Sequence, residues 1–129
     1  MIQGLNHITL SCSSLAQSIN FYQNLLGMTL EHQWPGGAYF SAGQLWFCLI
    51  EKPSYQTSQQ GYTHIAFSIQ QKDFEHWKTK LQQANIQEWQ ANKSEGDSIY
   101  FLDPDGYQLE LHVGNLQSRL NHARPHENK

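Results

Sequence analysis

The sequence has no surplus of positive charge and no long apolar run. Eight Lys and Arg residues are outnumbered by eleven Asp and Glu residues, which gives a formal net charge of −3. Proteins that bind nucleic acids or anionic membranes through general electrostatics usually carry a basic surplus, so we expect neither partner. No apolar stretch approaches the roughly 20 residues that a membrane-spanning helix needs.

Cysteine is also scarce, and the N-terminus has no export signal pattern. Cys12 and Cys48 are the two cysteines among 129 residues, and two do not make a disulfide framework. Residues 1–4 lack the charged region and long apolar stretch of a signal peptide. We therefore expect a cytoplasmic protein made of one ordinary domain or two small fused units.

A weak internal duplication is the most informative feature that is present. The segment Gly4–Leu10 is similar to Gly61–Phe67: both start with glycine, place a histidine at the fourth position and continue with β-forming residues. The two histidines, His7 and His64, are separated by a little under half the chain. The duplication predicts two similar structural modules, each with a histidine at the same point.

The sequence after each copy predicts the same order of elements. Ser13 or Ser14 can cap a first helix that ends at Gly27, and Asp73 can cap a second helix that ends near Asn85. Each helix is followed by β-rich sequence, which in the second half includes a type I turn at residues 103–106.

We therefore predict an α+β fold. It consists of two βαβββ modules, at about 1–51 and 61–113, that form a curved mixed sheet. A polar linker covers residues 52–60, and a polar tail at residues 121–129 is expected to be frayed.

Alternation along the strands places metal-competent residues on one face. His7, His64 and Glu110 each lie on the less apolar face of a predicted strand. A lone strand histidine is more often structural, but the duplication puts two of them at equivalent points. Two neutral imidazoles and one carboxylate make a site for a divalent metal with open positions.

The repeat also predicts which ligand is absent. Aligning Gly43 with Gly106 places Phe47 at the position equivalent to Glu110. Because phenylalanine cannot bind a metal, three protein ligands remain, as a catalytic metal requires if it is to coordinate a substrate.

Several segments together resemble one family. These are residues 4–10, 62–64, 92–106, 109–114 and 116–120, including the motifs Leu109-Glu110-Leu-His112-Val-Gly114 and Leu116-Gln-Ser-Arg119-Leu. They closely resemble the FosA-type fosfomycin-resistance glutathione transferases of the vicinal-oxygen-chelate (glyoxalase/bleomycin-resistance) superfamily. The resemblance covers residues 1 to about 120 and implies a single domain of paired βαβββ modules with a short C-terminal helix.

The resemblance implies a metal-dependent enzyme that opens the epoxide of fosfomycin with glutathione. It implies a homodimer with modules exchanged between chains, in which Mn²⁺ is held by His7 of one subunit with His64 and Glu110 of the other. It also implies a K⁺ ion bound by a loop whose matching residues are Asn92, Ser94, Glu95, Gly96 and Ser98.

The family's substrate-binding residues map onto both halves of the chain. The residues implied to hold the phosphonate are Thr9, Ser94, Ser98, Tyr100 and Arg119, with Tyr62 in contact with the substrate. Tyr39 is implied to stabilise the glutathione thiolate, in a pocket lined by Trp34, Trp46 and Cys48. Thr9, Tyr39 and Arg119 are thus the candidate catalytic residues.

Two further positions bear on the site. Gln90 stands where the family has lysine. We expect His112 at most to contact a metal ligand, and not to bind the metal itself. Surface positions are expected for His32, His76, His122 and His126.

Three alternatives remain open from the sequence. A related resistance enzyme could use another thiol, such as cysteine or bacillithiol, or water. An Fe²⁺ dioxygenase could use the same two histidines and glutamate. A metal-free relative could bind and sequester a drug without chemistry.

Overall fold

The computed structural model of the chain describes residues 1–57 and 61–127. The end of the predicted linker (58–60) and the last two residues of the predicted tail (128–129) lie outside the described residues. The chain divides into two compact units, Met1–Ser58 and Gln59–Lys129. The boundary falls within the predicted linker.

The first unit has the predicted β-α-β-β-β order. Its strands are β1 (His7–Cys12), β2 (Thr29–Trp34), β3 (Gly37–Ala42) and β4 (Leu45–Glu51). They form one mixed sheet in the order β1-β4-β3-β2, with β1 parallel to β4. Helix α1 (Leu15–Ile19) continues into a π-helical segment (Asn20–Leu25) and connects β1 to β2.

The second unit repeats this order. Its strands are β5 (Ile65–Ser68), β6 (Glu88–Gln90), β7 (Ser98–Leu102) and β8 (Gln108–His112). The sheet order is β5-β8-β7-β6, with β5 parallel to β8. A short 3-10 turn (Gln71–Asp73) leads into helix α2 (Phe74–Gln83), and helix α3 (Leu116–Glu127) follows the sheet. The α+β prediction is confirmed.

Helix α1 is capped from two sides. The side chain of Ser14 accepts a hydrogen bond from the backbone N–H of Gln17 at 3.3 Å. The carboxylate of Glu51, at the end of β4, accepts from the N–H of Leu15 at 2.8 Å. These contacts satisfy two of the N–H groups that a helix start leaves open. Gly27, with φ of 75°, ends the helical segment as predicted.

Each sheet buries one apolar face. In the first unit this core includes Phe40, Phe47 and Leu49, and the ring centroids of Phe47 and Tyr22 lie 4.6 Å apart. In the second unit the core includes Leu81, Ile99, Phe101, Leu109 and Leu111. The opposite face of each sheet is left for the polar and aromatic residues described below.

The C-terminal segment is more ordered in backbone than predicted. Helix α3 runs to Glu127, whereas the sequence predicted a short helix to about residue 120 and a frayed tail at residues 121–129. Asn115 explains the helix start: its side chain accepts from the N–H of Ser118, whose hydroxyl accepts from the N–H of Asn115, at 2.9 Å each. No helix in the described residues is long and apolar enough to cross a membrane.

Candidate functional site

An imidazole and a carboxylate meet on one face of the second sheet. His64 directly precedes β5, and Glu110 lies in the middle of β8, opposite Ala66 of β5. The Nε2 atom of His64 is 2.9 Å from Oε1 of Glu110. Glu110 is only 5% exposed. Because a buried carboxylate needs a cation or donors beside it, this contact marks a place for a proton or a metal ion.

The backbone fixes the orientation of the His64 ring. Nδ1 of His64 lies 2.6 Å from the carbonyl oxygen of Tyr62. A carbonyl can only accept, so Nδ1 donates, and Nε2 is the atom left to face the carboxylate. The same segment is held by Gln108, whose side-chain amide donates to the carbonyl oxygens of Gly61 and Thr63, each at 3.0 Å.

His7, the first residue of β1, has the same arrangement in the first unit. Its Nδ1 lies 2.7 Å from the side-chain amide oxygen of Asn6, to which it donates. Its ring packs against Trp46, with the ring centroids 4.3 Å apart. Both predicted imidazole ligands therefore keep Nε2 for another interaction.

The structure brings together two of the three predicted metal ligands. His64 and Glu110 are in contact within the second unit, whereas His7 belongs to the first. Within residues 1–57 and 61–127, no group of three or more His, Cys, Asp or Glu side chains forms a metal site. The pair fits a divalent ion by its chemistry, since Mn²⁺ and related ions take imidazole nitrogen together with carboxylate oxygen.

The second oxygen of Glu110 belongs to a short polar chain. The hydroxyl of Ser98 donates to Oε2 of Glu110 at 2.6 Å. The same hydroxyl lies 2.6 Å from Nδ1 of His112, which is 3.3 Å from Oε2. Sequence analysis placed His112 behind the metal ligands at most, and the structure places it in contact with one of them.

Tyr100, on β7, is buried beside this pair. Its ring centroid lies 5.9 Å from that of His64, and its hydroxyl is hydrogen-bonded with Ser94 and Tyr62. Burial is the main cause that raises the pKa of Tyr100 above its ordinary value; the bond with Tyr62 and the charge of Glu110 also raise it, and the bond with Ser94 opposes them. Tyr100 therefore remains a protonated hydrogen-bond donor at neutral pH.

Trp89 is a site residue that sequence analysis missed. Its ring centroid lies 5.5 Å from that of His64 and 5.2 Å from that of Tyr100. Strand alternation would put Trp89 and Gln90 on opposite faces, yet the Gln90 side chain also reaches this face and donates to the Tyr62 hydroxyl at 3.3 Å. The pairing of β6 with β7 shifts register between Glu88 and Gln90, and such a bulge breaks the alternation.

The predicted potassium loop is closed by Asn92. Its side chain donates to the carbonyl oxygen of Gly96 at 2.8 Å and accepts from the backbone N–H and the hydroxyl of Ser94 at 3.1 and 3.2 Å. Gly96 has φ of 80°, and a Cβ there would lie 2.3 Å from the carbonyl oxygen of Val113. The loop thus gathers neutral oxygen atoms, and it needs glycine for its turn.

Arg119, near the start of α3, contacts the same loop. Its Nε lies 3.4 Å from Oε1 of Glu95, and a terminal guanidinium nitrogen lies 3.5 Å from the Glu95 carbonyl oxygen. The Arg119 side chain is 48% exposed. Long, exposed contacts of this kind are weak, so the guanidinium can be redirected to an anionic ligand.

The predicted thiol-pocket residues lie together on the first sheet. The Tyr39 ring is in edge contact with Trp34 and Trp46, at centroid distances of 4.8 and 5.4 Å. Trp34 covers Gly37, where a Cβ would lie 2.4 Å from its ring. His32, predicted to be a surface residue, is exposed but stacks on Trp34 at 5.7 Å.

The repeat alignment that paired Phe47 with Glu110 is wrong. Thr9 on β1 pairs with Cys48, whereas Ala66, its counterpart on β5, pairs with Glu110. Cys48 is therefore the equivalent of Glu110, and Phe47 is a fully buried core residue. Burial raises the pKa of the Cys48 thiol, against a smaller opposite effect of its hydrogen bond with Thr9. The thiol stays protonated at neutral pH and is a poor metal ligand.

A cavity of about 300 Å³ opens beside the loop in the second unit. Phe74 and Lys78 of α2 line one side of it, and Gln90, Asn92 and Tyr100 line another. Gln90, Asn92 and Tyr100, which were described above, therefore border one cavity that is large enough for a small ligand.

Comparison with known proteins identifies similar chains along almost the whole length. A family model described as the Glyoxalase/Bleomycin resistance protein/Dioxygenase superfamily matches residues 4–111. Glutathione transferase FosA of Serratia marcescens is 50% identical, over 93% of this chain and 87% of that protein. Metallothiol transferase FosB of Staphylococcus epidermidis is 43% identical, over 99% of this chain and 98% of that protein.

A similar solved structure is that of the fosfomycin resistance protein FosX of Listeria monocytogenes, complexed with Mn(II) and sulfate. It superposes with a TM-score of 0.82 and 32% sequence identity, covering 95% of this chain and 98% of that one.

Proposed function

The chain belongs to the Glyoxalase/Bleomycin resistance protein/Dioxygenase superfamily, and from this membership we propose that it is a metal-dependent glutathione transferase that opens the epoxide of fosfomycin. Such an enzyme confers resistance because the ring-opened drug has lost its reactive group. The observation that carries the proposal is the contact of 2.9 Å between Nε2 of His64 and Oε1 of Glu110, with Nδ1 of His64 committed to a carbonyl. This pair has the donors of a divalent metal site. Because the two cysteines predict a reducing compartment, we propose that the protein is located in the cytoplasm.

We propose Mn²⁺ as the metal and His7 as the third ligand. His7 shares the feature that prepares His64 for ligation, a committed Nδ1. When bound, the ion would supply a Lewis acid at the epoxide oxygen and positive charge for the phosphonate. The FosX relative solved with Mn(II) supports the choice of metal.

The His7 ligand is proposed to come from the other subunit of a module-exchanged homodimer. Each unit of the chain is compact by itself, which exchange requires. β1 and β5 are edge strands of their sheets, and Ile2 and Leu5 before β1 are 96% and 74% exposed. Exposed apolar residues beside a free strand edge are typical of a surface that a second chain covers.

Of the five residues that the resemblance implies, four are proposed to hold the phosphonate; the fifth, Ser98, donates to Glu110 at 2.6 Å. Arg119 offers a planar fork for two oxygens, and Thr9, Ser94 and Tyr100 offer hydroxyl groups. The Ser94 hydroxyl would turn to the phosphonate from its long, exposed bond of 3.2 Å to Asn92. The raised pKa of Tyr100 keeps its hydrogen available. Tyr62, whose hydroxyl accepts from Gln90, is proposed to border the substrate. Together these groups orient the epoxide for attack, and orientation lowers the barrier by up to about 7–11 kcal/mol in favourable cases.

Tyr39 is proposed to hold the sulfur of glutathione by donating a hydrogen bond to the thiolate. Trp34 and Trp46 flank Tyr39 and would exclude water from the sulfur. The thiol proton leaves to solvent, the sulfur forms a bond to the less hindered ring carbon as the carbon–oxygen bond breaks, and the epoxide oxygen takes up a proton from water. No electron acceptor is needed, because the step is a substitution.

A K⁺ ion is proposed for the loop formed by residues 92–98. The support is chemical: the side-chain oxygens of Asn92 and Ser94 and the carbonyl oxygen of Gly96 are neutral hard donors held within one hydrogen-bonded turn. Glu95 would add the charge, and Ser98 follows at the start of β7. A K⁺-dependent rise in turnover that Na⁺ does not reproduce would support this site.

The test is direct detection of the product. The protein is incubated with Mn²⁺, K⁺, fosfomycin and glutathione, and parallel samples contain cysteine, bacillithiol or no thiol. Mass spectrometry is expected to find the glutathione thioether as the main product, with His76→Ala as an active control and His64→Ala inactive. A product formed by water or another thiol would reassign the co-substrate, and adduct formation unchanged in His64→Ala would contradict the ligand set.

The exchange of modules is tested separately by mixing two inactive variants. In an exchanged dimer, His7→Ala and His64→Ala chains form mixed dimers with one intact site, so roughly a quarter of wild-type activity returns after random reassortment. Ligands that all come from one chain would give no recovery.

A further inference from the structure

His112 packs against the carboxylate of the proposed metal ligand, with 14% of its side chain exposed, and it has no role in the reaction proposed above. Its Nδ1 lies 2.6 Å from the Ser98 hydroxyl and 3.3 Å from Oε2 of Glu110. Glu110 and Ser98 are 5% and 8% exposed. These three side chains, on the neighbouring strands β7 and β8, form a continuous chain of short contacts, which we name the Glu110 support.

The direction of the hydrogen bonds follows from counting hydrogens. A carboxylate that binds a metal ion can only accept, so the Ser98 hydroxyl gives Oε2 of Glu110 its single hydrogen. The Ser98 oxygen can then only accept from Nδ1 of His112, which must carry a hydrogen. His112 is therefore the donor at the end of the Glu110 support, and Ser98 has no hydrogen left for a phosphonate oxygen.

The other side of the His112 ring is enclosed by two glycines. A Cβ at Gly96 would lie 3.0 Å from Cε1 of His112, and a Cβ at Gly114 would lie 3.1 Å from its Nε2. The Gly114 Cβ would also lie 3.6 Å from Oε1 of Glu95, the partner of Arg119. The ring is thus held between the loop of residues 92–97 and the start of α3.

We propose that His112 is a positioning residue for the metal site, acting through Ser98. With its Oε2 held by the Glu110 support, the carboxylate of Glu110 keeps one rotamer and directs Oε1 toward Nε2 of His64. A ligand held in this way loses less freedom when it binds a metal, and outer hydrogen bonds to ligands are worth about 10–100-fold in metal affinity. This inference rests on the proposed metal site, and it assigns Ser98 to the support of Glu110 instead of to the phosphonate.

The experiment measures Mn²⁺ affinity, without turnover, from the EPR signal of free Mn²⁺ during titration of the full-length protein. His112→Leu removes the donor and is expected to weaken binding about 10–100-fold. His112→Asn keeps an N–H group at the same number of bonds from the backbone and is expected to recover most of that loss. His76→Leu, on the exposed face of α2, is the matched control and should bind as the wild type does.

A double-mutant cycle shows whether His112 acts through Ser98. Ser98→Ala is expected to weaken Mn²⁺ binding as much as His112→Leu, and the double variant no more than Ser98→Ala alone, since the two residues form one chain. Thermal unfolding of each variant without metal separates a loss of folding from a loss of affinity. Additive losses in the cycle would contradict the proposal.

The outcomes separate the two levels of the proposal. A wild-type protein that does not bind Mn²⁺ overturns the proposed function and this inference with it. Tight binding by the wild type together with unchanged binding in His112→Leu overturns the role of His112 alone. Equal losses in the Leu and Asn variants would show that ring packing, and not the Nδ1 hydrogen, is what Glu110 needs.

Discussion

The two units have the same order of helices and strands, and each has a register shift at the same place in its sheet. In the first, β2 shifts register against β3 between Leu30 and His32; in the second, β6 shifts against β7 between Glu88 and Gln90. The strand pairings make Tyr39 the equivalent of Tyr100, because Tyr39 pairs with Cys48 as Tyr100 pairs with Glu110. A duplicated bulge is strong support for a duplicated module, since bulges are retained features of a fold.

The side chains at equivalent positions differ in kind. Where the second unit has Glu110, the first has the thiol of Cys48, and where the first has Thr9 the second has Ala66. Both oxygens of Glu110 contact polar side chains, whereas the Cys48 thiol is buried and its pKa is raised by that burial. At this position one module therefore presents a hydrogen-bonded carboxylate, and the other presents a buried thiol.

The largest expected effect comes from removing the carboxylate of Glu110, compared with removing the thiol at the equivalent position of the first unit. Glu110→Gln should weaken Mn²⁺ binding by more than about 100-fold, because it removes a ligand and not merely its outer contacts. Cys48→Ala, at the equivalent position, should change Mn²⁺ affinity by less than about threefold, because its protonated thiol is a poor ligand. EPR titration compares the two. Equal losses would mean that Cys48 also reaches the metal.

The next largest effect concerns the free energy of unfolding and the hairpin turns that join the last two strands of each unit. In the second unit, Oδ1 of Asp103 accepts from the N–H groups of Asp105 and Tyr107, at 2.9 Å each. Asp103→Ala should lower the free energy of unfolding by about 1–3 kcal/mol, since buried N–H groups lose their acceptor. Gln44→Ala, in the exposed turn of the first unit, should change it by about 0.5 kcal/mol or less. Urea denaturation measures the free energy of unfolding of both variants. An unchanged value in Asp103→Ala would show that the turn closes without the Asp103 side chain.

Each unit also contains a buried acid whose pKa is raised, Cys48 in the first and Tyr100 in the second. In the folded state both groups hold their protons more tightly than in the unfolded state. Their contributions to stability are complete below the ordinary values of 9.0 and 10.0, and they are lost as pH rises through the raised pKa values. We expect the free energy of unfolding to fall above pH 9, and less steeply in Cys48→Ala and in Tyr100→Phe. A decline that both variants leave unchanged must come from other groups.

The smallest expected effect is a gain in the first unit. Ser18 on α1 is 1% exposed, and its hydroxyl has no hydrogen-bond partner among the described residues. Ser18→Ala removes a buried polar group and adds a better helix former, so the protein should become about 1 kcal/mol more stable. Glu75→Ala, on the exposed side of α2, is the control and should be near neutral. Thermal unfolding measures the stability of each variant. A loss of stability in Ser18→Ala would show that the hydroxyl has a hydrogen-bond partner.

Local signals in the sequence predicted much of the fold. Ser14 caps α1, Gly27 ends it, and the N–H of Gly106 bonds to the carbonyl oxygen of Asp103 at 3.0 Å, closing the predicted turn. The contact between His64 and Glu110 was predictable because β5 and β8 carry clear alternation. Such features depend on neighbouring residues or on one pair of strands.

Features that depend on exact register were not predictable. The hairpin segment from Tyr100 to Glu110 is one residue longer than that from Tyr39 to Cys48. Aligning the turn glycines therefore shifted the alignment by one residue and placed Phe47, instead of Cys48, opposite Glu110. The bulge in β6 turned Trp89 toward His64, against simple alternation. The support of Glu110 by His112 requires the positions of three side chains on two strands.

The proposed function depends on the binding of a divalent metal by His64 and Glu110 together with His7. The most direct measurement is electron spin-echo envelope modulation of bound Mn²⁺, which detects the nitrogen atoms of coordinated imidazoles. We expect modulation from two imidazoles in the wild type and from one in each of His7→Ala and His64→Ala. Bound Mn²⁺ without nitrogen modulation, or with a pattern that both variants leave unchanged, would contradict it.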